Sequence, residues 1–226
     1  FINPLEHLIS VSYGRFLFRR YLSKFTSPES FLKSPQFIWE PCDETNYSRI
    51  LDSYQDADSL AIDIETAREP YIHIKEVGYT AVWFRPDGKG SPITTHSCVV
   101  ELDSVSKLSI VRTLNQLPVA KVMQNGKYDN AYLARYDAVP VNYLWDTATL
   151  MHCWYSELPK DLAFLGAFFS REAMYWKDLS ASGNKRDQLL YNCKDTYTTA
   201  LAFLQMMHEI PAYAKANYLN EFPLLF

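Results

Sequence analysis

The stretch Leu60-Ala61-Ile62-Asp63-Ile64-Glu65-Thr66 constrains this chain most: an apolar run that ends in two acids placed two residues apart. On a β-strand, positions i and i+2 share a face, so the Asp63 and Glu65 carboxylates point the same way from the strand end. Two like charges held this close repel and raise each other's pKa unless a cation sits between them. Oxygen-only ligands favour hard divalent ions such as magnesium or manganese. A strand can also end in such a pair as a solvated acidic turn, so the metal reading requires other acids to converge on the same place.

A chain of 226 residues can build one good core with an appendage, or two small domains. With 48% hydrophobic and 15% aromatic residues it is globular and not disordered. It begins with Phe1 and not Met, the mark expected of a fragment or a processed piece. A net charge of −4 argues against holding duplex nucleic acid by a broad basic field. It leaves room for an enzyme whose acids hold metal and whose substrate meets a few basic side chains. Cys42, Cys98, Cys153 and Cys193 form no C-x-x-C pair, which disfavours zinc and disulfide frameworks and fits reduced thiols in a cytoplasmic compartment, bacterial or virus-infected. No apolar run approaches the roughly 18 residues of a membrane span, so a soluble chain with no membrane partner is expected.

Two parts are expected: an N-terminal basic amphipathic helical extension over 1–35 and a main domain over 36–226. In the first, Leu5, Leu8, Ile9, Tyr13, Phe16, Leu17, Tyr21 and Phe25 recur at helical spacing, interleaved with Arg15, Arg19, Arg20 and Lys24. Gly14 weakens that helix and Ser27-Pro28 ends it. Either a basic arm touches nucleic acid or a neighbouring domain, or the helix packs on the core with its arginines in water. Phe37-Ile38-Trp39 reads as a short strand or docking segment, and a helix follows from about Asn46 to Tyr54. Strands are expected at Ile72-His73-Ile74, Val77 to Phe84 and Thr94 to Leu102, the last two joined by a turn at Arg85-Pro86-Asp87-Gly88-Lys89-Gly90. Antiparallel strands would then flank the acidic strand. Beyond them come a helix over Ser104 to Gln116, a strand over Val119 to Met123, a helix over Asn130 to Tyr136, a strand over Val141 to Asp146, and helices after it. The pattern gives an α/β fold, a mixed sheet with helices packed on it.

Two further polar groups are candidates to join Asp63 and Glu65. Asn125 and Asp129, directly after the strand ending at Met123, are four apart and would share one side of a helix. Alone, the pair reads equally as a helix cap with a surface acid. Tyr191 and Asp195 are also four apart, within a helix running from about Lys185 to His208 whose buried stripe includes Leu189, Leu190, Ala200 and Leu201. An Asp beside such a stripe is expensive unless paired or metal-bound. Asp146 reads as structural or as a support to the ligands.

D-x-E on the first strand, N-x-x-x-D after a later strand and Y-x-x-x-D on a C-terminal helix, in this order, resemble the three motifs of the DEDDy (DnaQ-like) 3′→5′ exonucleases, and in particular the proofreading domain of family A, polymerase I-like DNA polymerases. Lys121 to Asp129, Trp145-Asp146-Thr147 and Glu221-Phe222-Pro223-Leu224 are similar to that family beyond the acids. The resemblance covers roughly 36–226 and implies a ribonuclease H-like fold. Leu190 stands where the histidine branch carries its His, which places the chain on the tyrosine side. Glu69 stands where family members often carry an aliphatic residue against the terminal bases. The end at residue 226 falls where a polymerase domain would begin, so such a domain in the same or a partner chain is expected.

The resemblance further implies hydrolysis with two divalent ions, Mg2+ or Mn2+, held by Asp63, Glu65, Asp129 and Asp195, with Asp63 bridging both. Tyr191, whose ordinary pKa near 10 suits it poorly as a base, would orient the attacking water. Thr66, Gln124, Asn125 and Tyr128 match positions that touch the terminal nucleotides of a single-stranded or frayed 3′ DNA end. Tyr128 fits equally as a stacking face or as core. Two other readings stay open: an RNase D-like exoribonuclease, and a non-catalytic domain that braces a polymerase or binds single strands.

Overall fold

The computed structural model describes residues 13–68, 72–84, 92–172 and 176–222. The turn expected at 85–90, the departure at Glu69, the first part of the amphipathic segment and the closing Pro223-Leu224 lie outside the described residues.

Six strands form one mixed sheet in the order β1-β4-β3-β2-β5-β6. They are β1 (Trp39–Pro41), β2 (Ser59–Ala67), β3 (His73–Trp83), β4 (Thr94–Glu101), β5 (Lys121–Met123) and β6 (Tyr143–Asp146). The helices are α1 (Gly14–Thr26), α2 (Tyr47–Tyr54), α3 (Val105–Asn115), α4 (Gly126–Leu133), α5 (Thr147–Trp154), α6 (Leu162–Phe169), α7 (Lys185–Glu209) and α8 (Ala212–Glu221).

The period-two alternation of β2 decides what lies on each face of the sheet. Leu60, Ile62 and Ile64 enter a core shared with Ile50 and Tyr54 of α2 and with Ile110, Val111 and Leu114 of α3. The intervening Ala61 packs instead with Ala200 and Leu204 of α7, so Asp63 and Glu65 fall on the α7 side. A third cluster joins Leu17 and Tyr21 of α1 to Leu150, Leu165, Phe168, Phe203 and Tyr218, tying α1, α5, α6 and α8 around the C-terminal half of α7.

Three expectations about the elements need correction. Antiparallel pairing flanks β2 on one side only: β3 is antiparallel to it, while β5 lies parallel along its other edge, with Leu60 opposite Lys121 and Ala61 opposite Val122. The β2-β3-β4 meander grows away from that edge, and the chain returns to it through α3. The segments Ile72-His73-Ile74 and Val77 to Phe84 belong to one strand, β3, because the intervening Lys75-Glu76 is no turn: Glu76 is 1% exposed, and the register shifts beside it between Glu65 and Thr66. The helix expected from Asn130 begins at Gly126.

The basic helix α1 follows neither expected reading in full. Arg15 and Arg19 are exposed, but Arg20 donates to the Phe168 carbonyl at 3.1 Å and pairs with Glu209 at 2.8 Å. Lys24 donates to the carbonyls of Ala167 and Ser170. These cations satisfy carbonyls at the C-terminus of α6, where the helix dipole favours positive charge. Burial, with the Arg20 charge, lowers the Lys24 pKa to about 8.

Among the described residues no helix is long and apolar enough to cross a membrane, and all four cysteines are free thiols.

Candidate active site

The site forms where the end of β2, the start of α4 and the middle of α7 meet. Asp63 and Glu65 leave β2 on its α7 face, and Asp195 comes down from α7; one carboxylate oxygen from each lies within 4.8 Å of the others. What brings α7 this close is Gly78, which pairs with Asp63 across the β2–β3 ladder. A methyl group there would lie 1.6 Å from Asn192 Oδ1, so the fully buried Asn192 carboxamide occupies the space that any side chain at position 78 would need.

Asp129 arrives by a different route. The neighbouring β5 delivers the chain to Asn125, which adopts a left-handed conformation with φ 57°, and α4 starts at the next residue. Gly126 is required there, since a Cβ would meet Met123 Cβ and the Tyr143 hydroxyl at 2.6 Å. Asp129 lies in the first turn of α4, an end that favours an anion, and is 5% exposed. The expectation that Asn125 shares a helical face with Asp129 therefore fails: Asn125 precedes the helix and is exposed.

Asp146 holds this arrangement together. Its Oδ2 accepts from the Gly126 amide at 2.8 Å and from the Tyr143 hydroxyl at 2.7 Å, while Oδ1 caps α5 through the Thr149 amide at 2.9 Å. Its oxygens thus accept from three donors and hold the starts of two helices, α4 and α5.

The electrostatics express how close the acids are. Burial raises the Asp63 carboxyl well above the usual carboxylate range, and the charges of Asp129, Asp195 and Glu65 raise it further against the opposing pull of Lys177. Burial and the charges of Asp195 and Glu76 push Glu65 up to about 7. Asp129 is raised by burial, then by Asp146 and Glu65. Asp63 feels the charges of all three of the other carboxylates. Asp129 Oδ2 is buried with no hydrogen-bond partner among the described residues. Hard, mutually repelling oxygen donors and one orphaned carboxylate oxygen fit a divalent cation of the magnesium or manganese class.

Tyr191 and Asp195, one turn apart on α7, both face this place, and Tyr191 is half-buried. Burial and the nearby Asp195 charge raise the Tyr191 pKa to about 12. Two residues absent from the sequence reading join them. The Trp176 indole donates to Asp195 Oδ1 at 2.5 Å. The Lys177 ammonium donates to the Tyr191 hydroxyl at 2.9 Å and to Asp195 at 2.9 and 3.2 Å. A third, Glu76, lies directly opposite Glu65 in the ladder, with the Lys75 amine 2.9 Å from its Oε1. The sequence signal for Glu76 was its alternation with Gly78 and Thr80 on one face of β3.

Of the remaining expected residues, Thr66 follows Glu65 on β2 and Tyr128 precedes Asp129 on α4. Thr66 Oγ1 lies 3.5 Å from the Tyr128 hydroxyl, and the Tyr128 ring is 47% exposed, so it is not core. Gln124 is turned to the Lys160 carbonyl at 2.6 Å.

No protein-family model and no curated protein matches the sequence. Solved structures do match in fold. The catalytic core of RRP6 from Trypanosoma brucei is 14% identical, with a TM-score of 0.58 over 88% of this chain and 56% of that one. Escherichia coli RNase D, an exoribonuclease involved in structured RNA processing, is 16% identical, with a TM-score of 0.53 over 86% of this chain and 51% of that one. The POL domain of Pol1 from M. smegmatis, complexed with DNA primer-template and dNTP, is 9% identical, with a TM-score of 0.51 over 75% of this chain and 27% of that one. This chain thus spans little more than half the length of the first two. The six-stranded mixed sheet flanked by helices is the ribonuclease H-like fold of these structures.

Proposed function

We propose that this chain is a metal-dependent 3′→5′ exonuclease that removes terminal nucleotides from DNA, as the proofreading part of a family A polymerase. The observation that carries the reading is the convergence of Asp63, Glu65 and Asp195 within 4.8 Å, with the orphaned Asp129 oxygen beside them and Tyr191 one helix turn before Asp195. A solvated acidic turn has no reason to bury its partners in this way.

Asp63, Glu65 and Asp195 would hold one divalent cation, and Asp63 with Asp129 a second. Bound there, the two cations supply charge neutralisation for the scissile phosphate and acidity for the attacking water. Tyr191 keeps its proton at neutral pH, since its pKa is pushed up to about 12, and so orients water or a phosphate oxygen by hydrogen bonding and does not act as a base. The exposed Tyr128 ring, next to Thr66, offers a stacking face to an unpaired terminal base. Unpairing costs a few kcal/mol and least at a mismatch, which favours removal of misincorporated ends without reading sequence. Gln124 and Asn125 lie in the turn that leads from β5 into α4, whose first turn carries Asp129.

The similarity of residues 218–226 to the family A ending favours DNA. The RNase D and RRP6 folds favour a second reading, in which the same site trims RNA. Four 5′-labelled strands of one sequence, DNA and RNA, each with a paired and a mismatched 3′ end, separate the two. Faster shortening of the mismatched DNA supports proofreading, faster RNA shortening supports the second reading, and no shortening of any strand in Mg2+ or Mn2+ rejects both.

A further inference from the structure

Trp176 and Lys177, consecutive at the start of a short 3-10 helix (Lys177–Ala181), reach the carboxylate cluster from the side. Trp176 is 4% exposed, and Lys177 is half-buried with its ammonium 5.1 Å from the Trp176 ring centre and 4.8 Å from that of Tyr191. An ammonium has donors and no acceptor, so in the 2.9 Å contact with Tyr191 the phenol oxygen accepts. The Tyr191 proton is then directed away from Lys177, and one oxygen lone pair remains for a further donor.

Asp195 is constrained in a similar way. Its Oδ1 receives Trp176 at 2.5 Å and Lys177 at 2.9 Å, which accounts for both lone pairs of that oxygen, while Oδ2 meets Lys177 only at 3.2 Å. Oδ2 is thus the oxygen that Asp195 can offer to a cation without losing either donor. The cost is a fixed positive charge beside a site built for cations.

We propose that Lys177 is a positioning residue that sets the donor direction of the Tyr191 hydroxyl and, through its fixed charge on Asp195, weakens the hold of the carboxylate cluster on divalent cations. The inference rests on the metal-dependent reading above, and it adds a trade: a better oriented hydroxyl in exchange for looser metal.

The test uses the full chain and Mn2+ alone, titrated calorimetrically into wild type, Lys177→Met and Lys177→Arg, with a melting curve for each. Lys177→Met should bind Mn2+ about fivefold tighter or more, since removing a nearby positive charge favours a bound cation. Lys177→Arg, which keeps the charge, should stay within about twofold of wild type. With saturating Mn2+, Lys177→Met should shorten an oligonucleotide at least about tenfold more slowly, because Tyr191 has lost its guide. Tighter metal with slower turnover is a combination that loss of packing does not produce. Unchanged or weaker Mn2+ binding in folded Lys177→Met overturns the proposal, as does a wild type that binds no Mn2+. Should Lys177→Met fail to melt cooperatively, Lys177→Gln takes its place under the same criteria. Mn2+ binding by a wild type that shortens nothing would remove the nuclease reading, and the affinity ratio would still decide the part played by Lys177.

Discussion

Replacing Gly78 by alanine tests how α7 is seated and what depends on it. The added methyl would lie 1.6 Å from Asn192 Oδ1, 2.7 Å from Asn192 Cγ and 3.1 Å from Thr196 Cγ2. Asn192 is 0% exposed and has no open side to turn toward, so α7 must lift or the carboxamide must be forced into its neighbours. Overpacking of this kind costs about 1–3 kcal/mol. In a chain of 226 residues, about 2–4 °C of melting temperature goes with each kcal/mol, so a drop of about 2–12 °C is expected. The lift also moves Tyr191 and Asp195 away from Asp63, which pairs with Gly78, and a displacement of about 1 Å at a reacting site lowers rate by about 100-fold. Melting is followed by circular dichroism beside Asn192→Ala and the double variant. If the clash is the cause, the double variant recovers about 1–2 kcal/mol relative to the sum of the singles. A Gly78→Ala chain melting within about 1 °C of wild type, or a double variant no better than that sum, would refute the seating of α7 on Gly78.

Tyr191→Phe removes the hydroxyl that Lys177 holds and leaves the carboxylates untouched; turnover should fall at least about tenfold with Mn2+ affinity within about twofold of wild type, and turnover within twofold of wild type would dismiss the residue from the reaction. The pH dependence of stability without metal follows from Glu65, whose pKa rises from 4.5 to about 7 on folding. Between those values the folded chain binds more protons than the unfolded one, so stability is full below about 4.5 and is lost as pH rises to about 7, by up to about 3 kcal/mol for this group alone. Denaturant titrations at pH 5 and 7 in EDTA should show that loss, saturating Mn2+ should reverse it, and a metal-free chain equally stable at both pH values would contradict the crowding of the acids.

The parts of this site that were legible in the sequence depend on local side-chain direction. Period two on β2 puts Asp63 and Glu65 on one face, and a four-residue spacing on α7 puts Tyr191 above Asp195, whatever the rest of the chain does. Asp129 was identified for a reason that does not hold: the spacing from Asn125 suggested a shared helical face, whereas a left-handed residue at the end of β5 starts the helix at Gly126. The left-handed Asn125 and the tight approach of Met123 and Tyr143 to Gly126 are tertiary facts with no periodic signature. Lys177 was invisible for the same reason, since its partners lie 14 and 18 residues away along the chain, beyond a helix start. Glu76 was hidden by its chemistry: a Lys-Glu pair between apolar stretches looks like a break, which masks its alternation with Gly78 and Thr80, and the register puts this buried acid opposite Glu65. The inward turn of Arg20 and Lys24 was likewise unreadable, because the carbonyls they satisfy belong to a helix about 145 residues further along the chain.

Whether these four carboxylates converge on divalent cations can be read from anomalous scattering by Mn2+-soaked crystals. Manganese peaks are expected in contact with Asp63, Glu65 and Asp195 and with Asp63 and Asp129, all lost in Asp63→Asn. Crystals whose only manganese lies elsewhere on the surface, or whose peaks survive Asp63→Asn unchanged, would contradict that convergence.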